Sequence, residues 1–199
     1  REVISIEELK EWYQKLLDEY HKWLSYQKKW KEERNYSLQS LEFPFFYREG
    51  QRKMVSSVYH AIGASRQIFI QAPTGVGKTM STIFPAVRAV GEGKGETIFY
   101  LTAKTITRTV AQEAFEVLRE KGMKYKVVTI TAKEKLCFMD ETKCDPVHCP
   151  YARGHFDRVN DAVYELWTTK SRYDRETIRE QAEKWQVCPF EMCLDLSLW

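Results

Sequence analysis

The sequence lacks any long apolar run and carries little net charge. None of its hydrophobic stretches approaches the roughly 20 residues that a membrane-spanning helix needs, and the N-terminus has no apolar signal-peptide core. We therefore expect no contact with a membrane and a cytoplasmic location. The formal net charge is only +3 over 199 residues, so total charge permits nucleic-acid binding without arguing for it.

Internal repeats and low-complexity tracts are also missing. Hydrophobic residues make up 43% of the chain and charged residues 30%, which is the composition of a soluble globular protein. The chain begins with Arg1 instead of Met and stops at Trp199 without a polar tail. These ends predict a piece of a longer protein.

The N-terminal stretch is predicted to be one amphipathic helix. Ser5 and Glu8 have the spacing of a capping box. Apolar residues then recur at helical spacing and form one stripe. This stripe comprises Leu9, Trp12, Leu16, Tyr20, Trp23 and Trp30. Residues 35–44 read as a turn-rich connector and as the best domain boundary.

From Phe45 onward the pattern alternates between helix and strand. The predicted order is helix 51–63, strand 67–71, helix 78–90, strand 97–102, helix 105–120 and strand 125–131. Strands separated by helices of this length build a parallel sheet with right-handed crossovers. The sequence therefore predicts an α/β fold.

A phosphate-binding loop lies between the first of these strands and the helix that follows it. The general motif is G-x-x-x-x-G-K-[ST], whose backbone N–H groups, lysine and hydroxyl hold phosphates and Mg²⁺. Its first position is occupied by Ala72 instead of glycine. The loop consists of Ala72, Pro73, Thr74, Gly75, Val76, Gly77, Lys78 and Thr79. We predict that Lys78 contacts the β- and γ-phosphates and that Thr79 ligates the metal.

Arg48 and Gln51 precede the loop by about twenty residues. A glutamine can make paired hydrogen bonds to the edge of adenine, so beside a phosphate loop we predict a base-recognition segment. The alternative is that Gln51 only starts a helix.

Four cysteines follow where the alternation ends, at Lys133. The spacing is Cys-x6-Cys-x4-Cys-x38-Cys for Cys137, Cys144, Cys149 and Cys188. Thiolates are the standard ligands of a four-iron cluster. Zinc also takes four thiolates, but its structural sites use tight Cys-x2–4-Cys pairs at both ends, so zinc stays open as the alternative. Cys193 is predicted to be a fifth, non-ligating cysteine; the alternative is that Cys193 is the fourth ligand in place of Cys188.

The segment between these cysteines shows no strand pattern and is predicted to hold two helices. They span about residues 157–166 and 175–185, the second capped by Asp174. Such a short insertion buries little apolar surface alone and usually needs a disulfide or a bound metal for stability.

These features together resemble the XPD/DinG family of superfamily 2 iron–sulfur DNA helicases, bacterial DinG-type members most closely. The resemblance rests on Arg48 and Gln51, the phosphate loop, residues 100–105 and the cysteine insertion. It implies a partial RecA-like parallel sheet with an inserted, mainly helical four-cysteine domain and an N-terminal helical segment. The implied domains are 1–42 (helical extension), 43–132 (first part of helicase domain 1), 133–193 (iron–sulfur domain) and 194–199 (return to domain 1).

By that resemblance the protein uses ATP, Mg²⁺ and a [4Fe-4S] cluster and moves 5′ to 3′ on single-stranded or forked DNA, with a role in DNA repair. Thr102, Lys104 and Thr105 would contact the DNA backbone. Basic and aromatic residues of the insertion suit a single strand, although each of the basic ones could equally be a solvated surface residue. These residues are Arg153, Arg158, Lys170, Arg172, Tyr151, Phe156, Trp167 and Tyr173.

One departure from the family pattern limits the expected activity. The Asp-Glu-Ala-His box is absent from the 199 residues, as are the second RecA-like domain and its arginine finger. Because phosphoryl transfer needs all of these parts, we expect nucleotide binding without turnover, with the remaining helicase domains in the full-length chain. The alternatives are a nucleic-acid-binding module with structural zinc and a phosphate-loop kinase with a zinc lid.

Overall fold

A computed structural model describes residues 3–103 and 105–198, with the side chain of Thr105 outside the description. This part of the chain forms eight helices and two short strands. In chain order they are α1 (Ile6–Gln39), α2 (Gln51–Gly63), α3 (Lys78–Gly91), α4 (Thr105–Glu120), β1 (Val127–Val128), α5 (Lys133–Leu136), α6 (His155–Thr169), β2 (Arg172–Tyr173), α7 (Arg175–Trp185) and α8 (Pro189–Ser197). Over the described ranges, no helix is both long and apolar enough to cross a membrane.

Helix α1 begins at the predicted capping box. The backbone N–H of Ser5 donates to Glu8 Oε2 at 2.7 Å, and the Glu8 N–H donates to Ser5 Oγ at 3.2 Å. The reciprocal pair satisfies two amides that the first helical turn leaves open. The capping prediction is confirmed.

The chain divides into two compact units. Residues from Gln27 to Tyr125 form one, which we call the phosphate-loop unit. Residues up to Tyr26 together with those from Lys126 onward form the other, which we call the cysteine unit. The four domains predicted from the family resemblance stay a prediction.

The core of the phosphate-loop unit lies between α2, α3, α4 and the end of α1. Leu38, Ile83, Val87 and Leu118 are almost fully buried there. Gly91 permits the close approach of α1 to α3, because a Cβ at this position would lie 2.5 Å from the Cβ of Leu38. This packing fixes α3, the helix that follows the phosphate loop.

The predicted strands 67–71 and 97–102 are wrong as assignments of secondary structure, since the chain there is neither helical nor paired in a sheet. Phe69 is 94% exposed and Leu101 88% exposed. A strand exists only where a neighbouring strand satisfies its backbone, and the described residues supply none beside these segments. Their apolar composition indicates strands, but composition does not provide the partner.

The third predicted strand, 125–131, is partly confirmed. Only Val127 and Val128 form β1, which pairs in parallel with β2 in the register Val127–Arg172 and Val128–Tyr173. The prediction that the segment after Lys133 contains no strand is wrong, because β2 lies inside it. Two residues are too short to leave an alternating pattern.

Two helices of the cysteine unit, α6 and α7, follow the prediction closely, whereas α5 and α8 were not predicted. Helix α7 starts after Asp174, whose Oδ1 accepts from the Thr177 N–H at 3.0 Å. Ile178 and Ala182 are fully buried in a core that also contains Leu166, Met192 and Leu196. The mainly helical character predicted for the insertion is therefore confirmed.

Lys126 lies in an aromatic cage at the start of the cysteine unit. Its Nζ lies 4.6 Å from the ring centre of Trp167, 5.5 Å from that of Tyr26 and 5.8 Å from that of Tyr173. The same ammonium donates to the Tyr173 hydroxyl and the Lys170 carbonyl, each at 3.1 Å. Burial lowers the pKa of Lys126 to about 8.

We predict that Lys126 makes stability rise with pH. Between about pH 8 and its ordinary pKa of 10.5, the folded protein holds fewer protons on this group than the unfolded chain does, so the free energy of unfolding increases with pH. Relative to Lys126→Met, the unaltered protein should gain about 1 kcal/mol between about pH 7.5 and 9.5, after allowance for partial solvent access. Urea unfolding of both proteins at each pH measures this difference. A difference that stays constant with pH would contradict the assignment.

Candidate nucleotide and metal sites

The phosphate loop has the backbone that phosphate binding requires. Gly75 and Gly77 have φ angles of +85° and +75°, a region that side chains with a Cβ rarely adopt. Helix α3 begins directly after Gly77, and no side chain caps it. The open N–H groups of its first turn, reinforced by the helix dipole, form an anion-binding site.

Lys78 lies in the first turn of α3 and folds back over the loop. Its Nζ donates to the carbonyls of Ala72 at 2.9 Å and Pro73 at 3.1 Å. These two hydrogen bonds hold the ammonium against the backbone of the loop. The next residue, Thr79, is half-buried. These are the two side chains predicted to hold phosphate and Mg²⁺.

Arg48 and Gln51 contact this loop. The Arg48 guanidinium donates to the Gly75 carbonyl. Gln51 is only 5% exposed, and its Oε1 accepts from the Arg48 N–H at 3.0 Å. A Cβ on Gly77 would lie 2.6 Å from Gln51 Nε2. The structure thus brings both residues to the loop, while adenine recognition stays a prediction.

The three residues predicted to touch DNA are described only in part. Thr102 is exposed. Lys104 and the side chain of Thr105 lie outside the described residues, although Thr105 begins α4. Their role stays a prediction.

The four predicted ligands line one cleft in the cysteine unit. Cys137, Cys144, Cys149 and Cys188 all contribute to this cleft, which is partly open to solvent. Phe138, Met139, Tyr151, Pro189 and Phe190 supply apolar walls. Cys193 lies instead in the buried apolar core. Each of the five thiols is free of disulfides.

Four thiols around an apolar cleft fit the chemistry of a thiolate-bound cluster. However, no group of three His, Cys, Asp or Glu side chains converges as a single-ion site within the ranges 3–103 and 105–198. Burial raises the pKa of the Cys188 thiol. The identity of any metal therefore stays a prediction.

Two basic residues beside this cleft escaped sequence analysis. Cys144 raises the pKa of the Lys133 ammonium by hydrogen bonding with it. Arg179 Nη1 donates to the carbonyls of Leu136 at 2.7 Å and Cys137 at 3.0 Å, and its guanidinium lies 4.4 Å from the ring centre of Phe138. No sequence motif marks either contact.

Most basic residues suggested as a DNA surface have intramolecular partners instead. Arg153 donates to the Pro146 carbonyl at 3.0 Å, Arg158 to three carbonyls, and Arg172 pairs with Asp174 at 2.9 Å. Among the aromatic candidates, Trp167 and Tyr173 are buried in the core, whereas Phe156 is 86% exposed. Phe156 is therefore the aromatic candidate best placed to meet a ligand.

The geometry described above agrees with comparisons to known proteins. The DEAD/DEAH box helicase family matches residues 48–151, from the Arg48 segment through the phosphate loop to the third cysteine. This match covers more than half of the 199 residues. The chain belongs to the DEAD/DEAH box helicase family.

A curated relative supports the same class of protein. The chain is 28% identical over 123 residues to a probable ATP-dependent helicase, MJ0942, of Methanocaldococcus jannaschii. The matched region covers 60% of this chain and 18% of that protein, so the chain spans less than a fifth of the relative's length. No solved structure matches the chain.

Proposed function

We propose that this chain is the front portion of an iron–sulfur DNA helicase of the XPD/DinG type. It would bind ATP through the phosphate-loop unit and a [4Fe-4S] cluster through the cysteine unit. The observation that carries the iron–sulfur part is the cleft shared by Cys137, Cys144, Cys149 and Cys188, the last of which is far along the chain. Family membership by itself supports only an ATP-dependent helicase.

In the nucleotide site, the chain's own residues bind and orient phosphate. The amides after Gly77 would donate to phosphate oxygens, and Lys78 would exchange its two carbonyl partners for them. The Thr79 hydroxyl would hold Mg²⁺, which screens phosphate charge when bound. Arg48 braces the loop through the Gly75 carbonyl, so that the cradle is formed before ATP arrives.

In the metal site, the four cysteines would each ligate one iron, with Cys193 excluded by its burial in the core. The apolar walls limit water access, and Lys133 offers a positive charge next to Cys144. Both features favour thiolate ligands that carry negative charge. A cluster here would supply the additional stability that so small a helical unit needs.

For nucleic acid, we propose single-stranded or forked DNA as the partner, with 5′ to 3′ movement in the full-length protein. The support is the resemblance together with the exposed Phe156, whose ring could stack on a base. Duplex opening also requires the Asp-Glu-Ala-His box and a second RecA-like domain. We therefore expect this chain to bind ATP without hydrolysing it.

Anaerobic purification followed by iron, sulfide and zinc analysis tests the proposal directly. We expect a brown protein with about four irons per chain, together with binding of a fluorescent ATP analogue. Stoichiometric zinc in a colourless protein would replace the cluster with a structural zinc site. ATP turnover stimulated by single-stranded DNA would contradict the expectation that this chain is catalytically incomplete.

A further inference from the structure

We propose that His155 and Arg158 are positioning residues that close the cysteine cleft by holding the chain segment that delivers Cys188. We call this pair the α6 clamp. The inference rests on the proposed function in one respect, since the closed cleft is taken to hold the cluster. Its structural part, the placement of Cys188, stands on contacts within the cysteine unit alone.

The position of the fourth cysteine, Cys188, needs a structural explanation. Thirty-eight residues separate Cys149 from Cys188, yet both line the same cleft. Between them the chain forms α6, β2 and α7. Some contact must return residue 188 to the first three cysteines, because loop closure over this length is entropically unfavourable.

His155 makes that contact at Cys188 itself. Its Nδ1 accepts from the backbone N–H of Cys188 at 3.1 Å. Since a backbone N–H can only donate, the ring is neutral and its proton lies on Nε2. The histidine is 4% exposed, so this hydrogen bond is formed away from solvent.

The second ring nitrogen, Nε2, indicates that a gain in stability is not the reason for a histidine at position 155. His155 Nε2 is buried without a hydrogen-bond partner among the described residues. Leaving a buried donor unpaired is unfavourable, a penalty that an apolar side chain would avoid. The contact with Cys188 is what the imidazole supplies and an apolar side chain lacks.

Arg158 holds the chain just before Cys188. Its Nε donates to the Trp185 carbonyl at 3.0 Å, and its Nη2 donates to the Gln186 carbonyl at 2.6 Å and the Arg153 carbonyl at 2.7 Å. Residues three apart lie on the same face of a helix, so His155 and Arg158 act on one segment from the first turn of α6. The end of α7 is thereby tied to the turn that precedes α6.

That turn connects the clamp to Cys149. The Cys149 carbonyl accepts from the N–H groups of Ala152 and Arg153, both at 3.2 Å. Gly154 completes the turn at φ +65°, and a Cβ there would lie 2.6 Å from Arg158 Nη1. A short, rigid stretch thus links the third cysteine to the two side chains that hold the fourth.

The test compares His155→Leu, His155→Asn and the unaltered chain, purified anaerobically. We expect His155→Leu to release iron to a chelator about tenfold faster or more, the typical effect of losing a partner of a metal ligand. The asparagine side-chain oxygen can accept near the position of Nδ1, so His155→Asn should recover part of the retention. His148→Ala is the matched control, because His148 is exposed and, within the described part of the chain, its ring hydrogen-bonds to Asp145.

A second readout separates positioning from general stability and does not require iron. In the metal-free chain, alkylation mapped by mass spectrometry should show faster reaction of Cys188 in His155→Leu, with Cys193 unchanged. The unfolding midpoint should stay near that of the unaltered chain. Equal iron release and equal Cys188 reactivity in the leucine variant and the unaltered chain would overturn the clamp. An unaltered chain without iron, but with the expected change in reactivity, would overturn the cluster and leave the clamp standing.

Discussion

A chain carrying Cys188→Ser should lose bound iron that the unaltered chain retains. The serine hydroxyl does not ionise at neutral pH and is a poor iron ligand, so one corner of a four-iron cluster would be left without its thiolate. The same loss is expected for serine at Cys137, Cys144 or Cys149, because all four line the cleft. Iron and sulfide per chain, measured after anaerobic desalting, give the result.

Cys193→Ser is the control that makes this series informative. Cys193 lies five residues beyond Cys188 and is fully buried in the apolar core. Serine there should leave the iron content unchanged while lowering the free energy of unfolding by about 1–2 kcal/mol, since it buries a hydroxyl. Iron loss in Cys193→Ser with retention in Cys188→Ser would reverse the ligand assignment.

Replacing Lys78 with methionine should weaken nucleotide binding by about 50-fold, because a hydrogen bond to a charged group contributes up to about 3 kcal/mol at a partly desolvated site. The stem of methionine preserves the apolar part of lysine, so the fold should be retained. Titration with a fluorescent ATP analogue measures the affinity. Lys53→Met, which removes an exposed lysine from α2 of the same unit, should bind as the unaltered chain does.

Gly77→Ala probes the same site through the backbone. Alanine would be strained at φ +75°, and its Cβ would lie 2.6 Å from Gln51 Nε2. We therefore expect weaker nucleotide binding together with a displaced Arg48–Gln51 segment. Unchanged affinity in both Lys78→Met and Gly77→Ala would show that the nucleotide binds elsewhere.

Local signals in the sequence were sufficient for six helices, α1 to α4, α6 and α7. The capping pair Ser5 and Glu8, the Asp174 cap and the apolar spacing of Ile178 and Ala182 each involve residues within a few positions of one another. Strands behaved differently. Residues 67–71 carry a strand composition but remain unpaired, whereas Arg172 and Tyr173 pair with β1 despite carrying no pattern. Pairing depends on residues distant in sequence, and composition cannot supply it.

The two candidate sites show the same contrast. The phosphate loop is a run of eight adjacent residues, so its motif alone was enough to predict the nucleotide site. Cysteine spacing indicated four ligands, and only the packing of α5 to α8 decided that they line one cleft and that Cys193 does not. The α6 clamp had no sequence signal, because His155 and Arg158 bind backbone groups, which every residue carries. Side-chain motifs are therefore determined by the sequence, whereas contacts to distant backbone are decided by the tertiary structure.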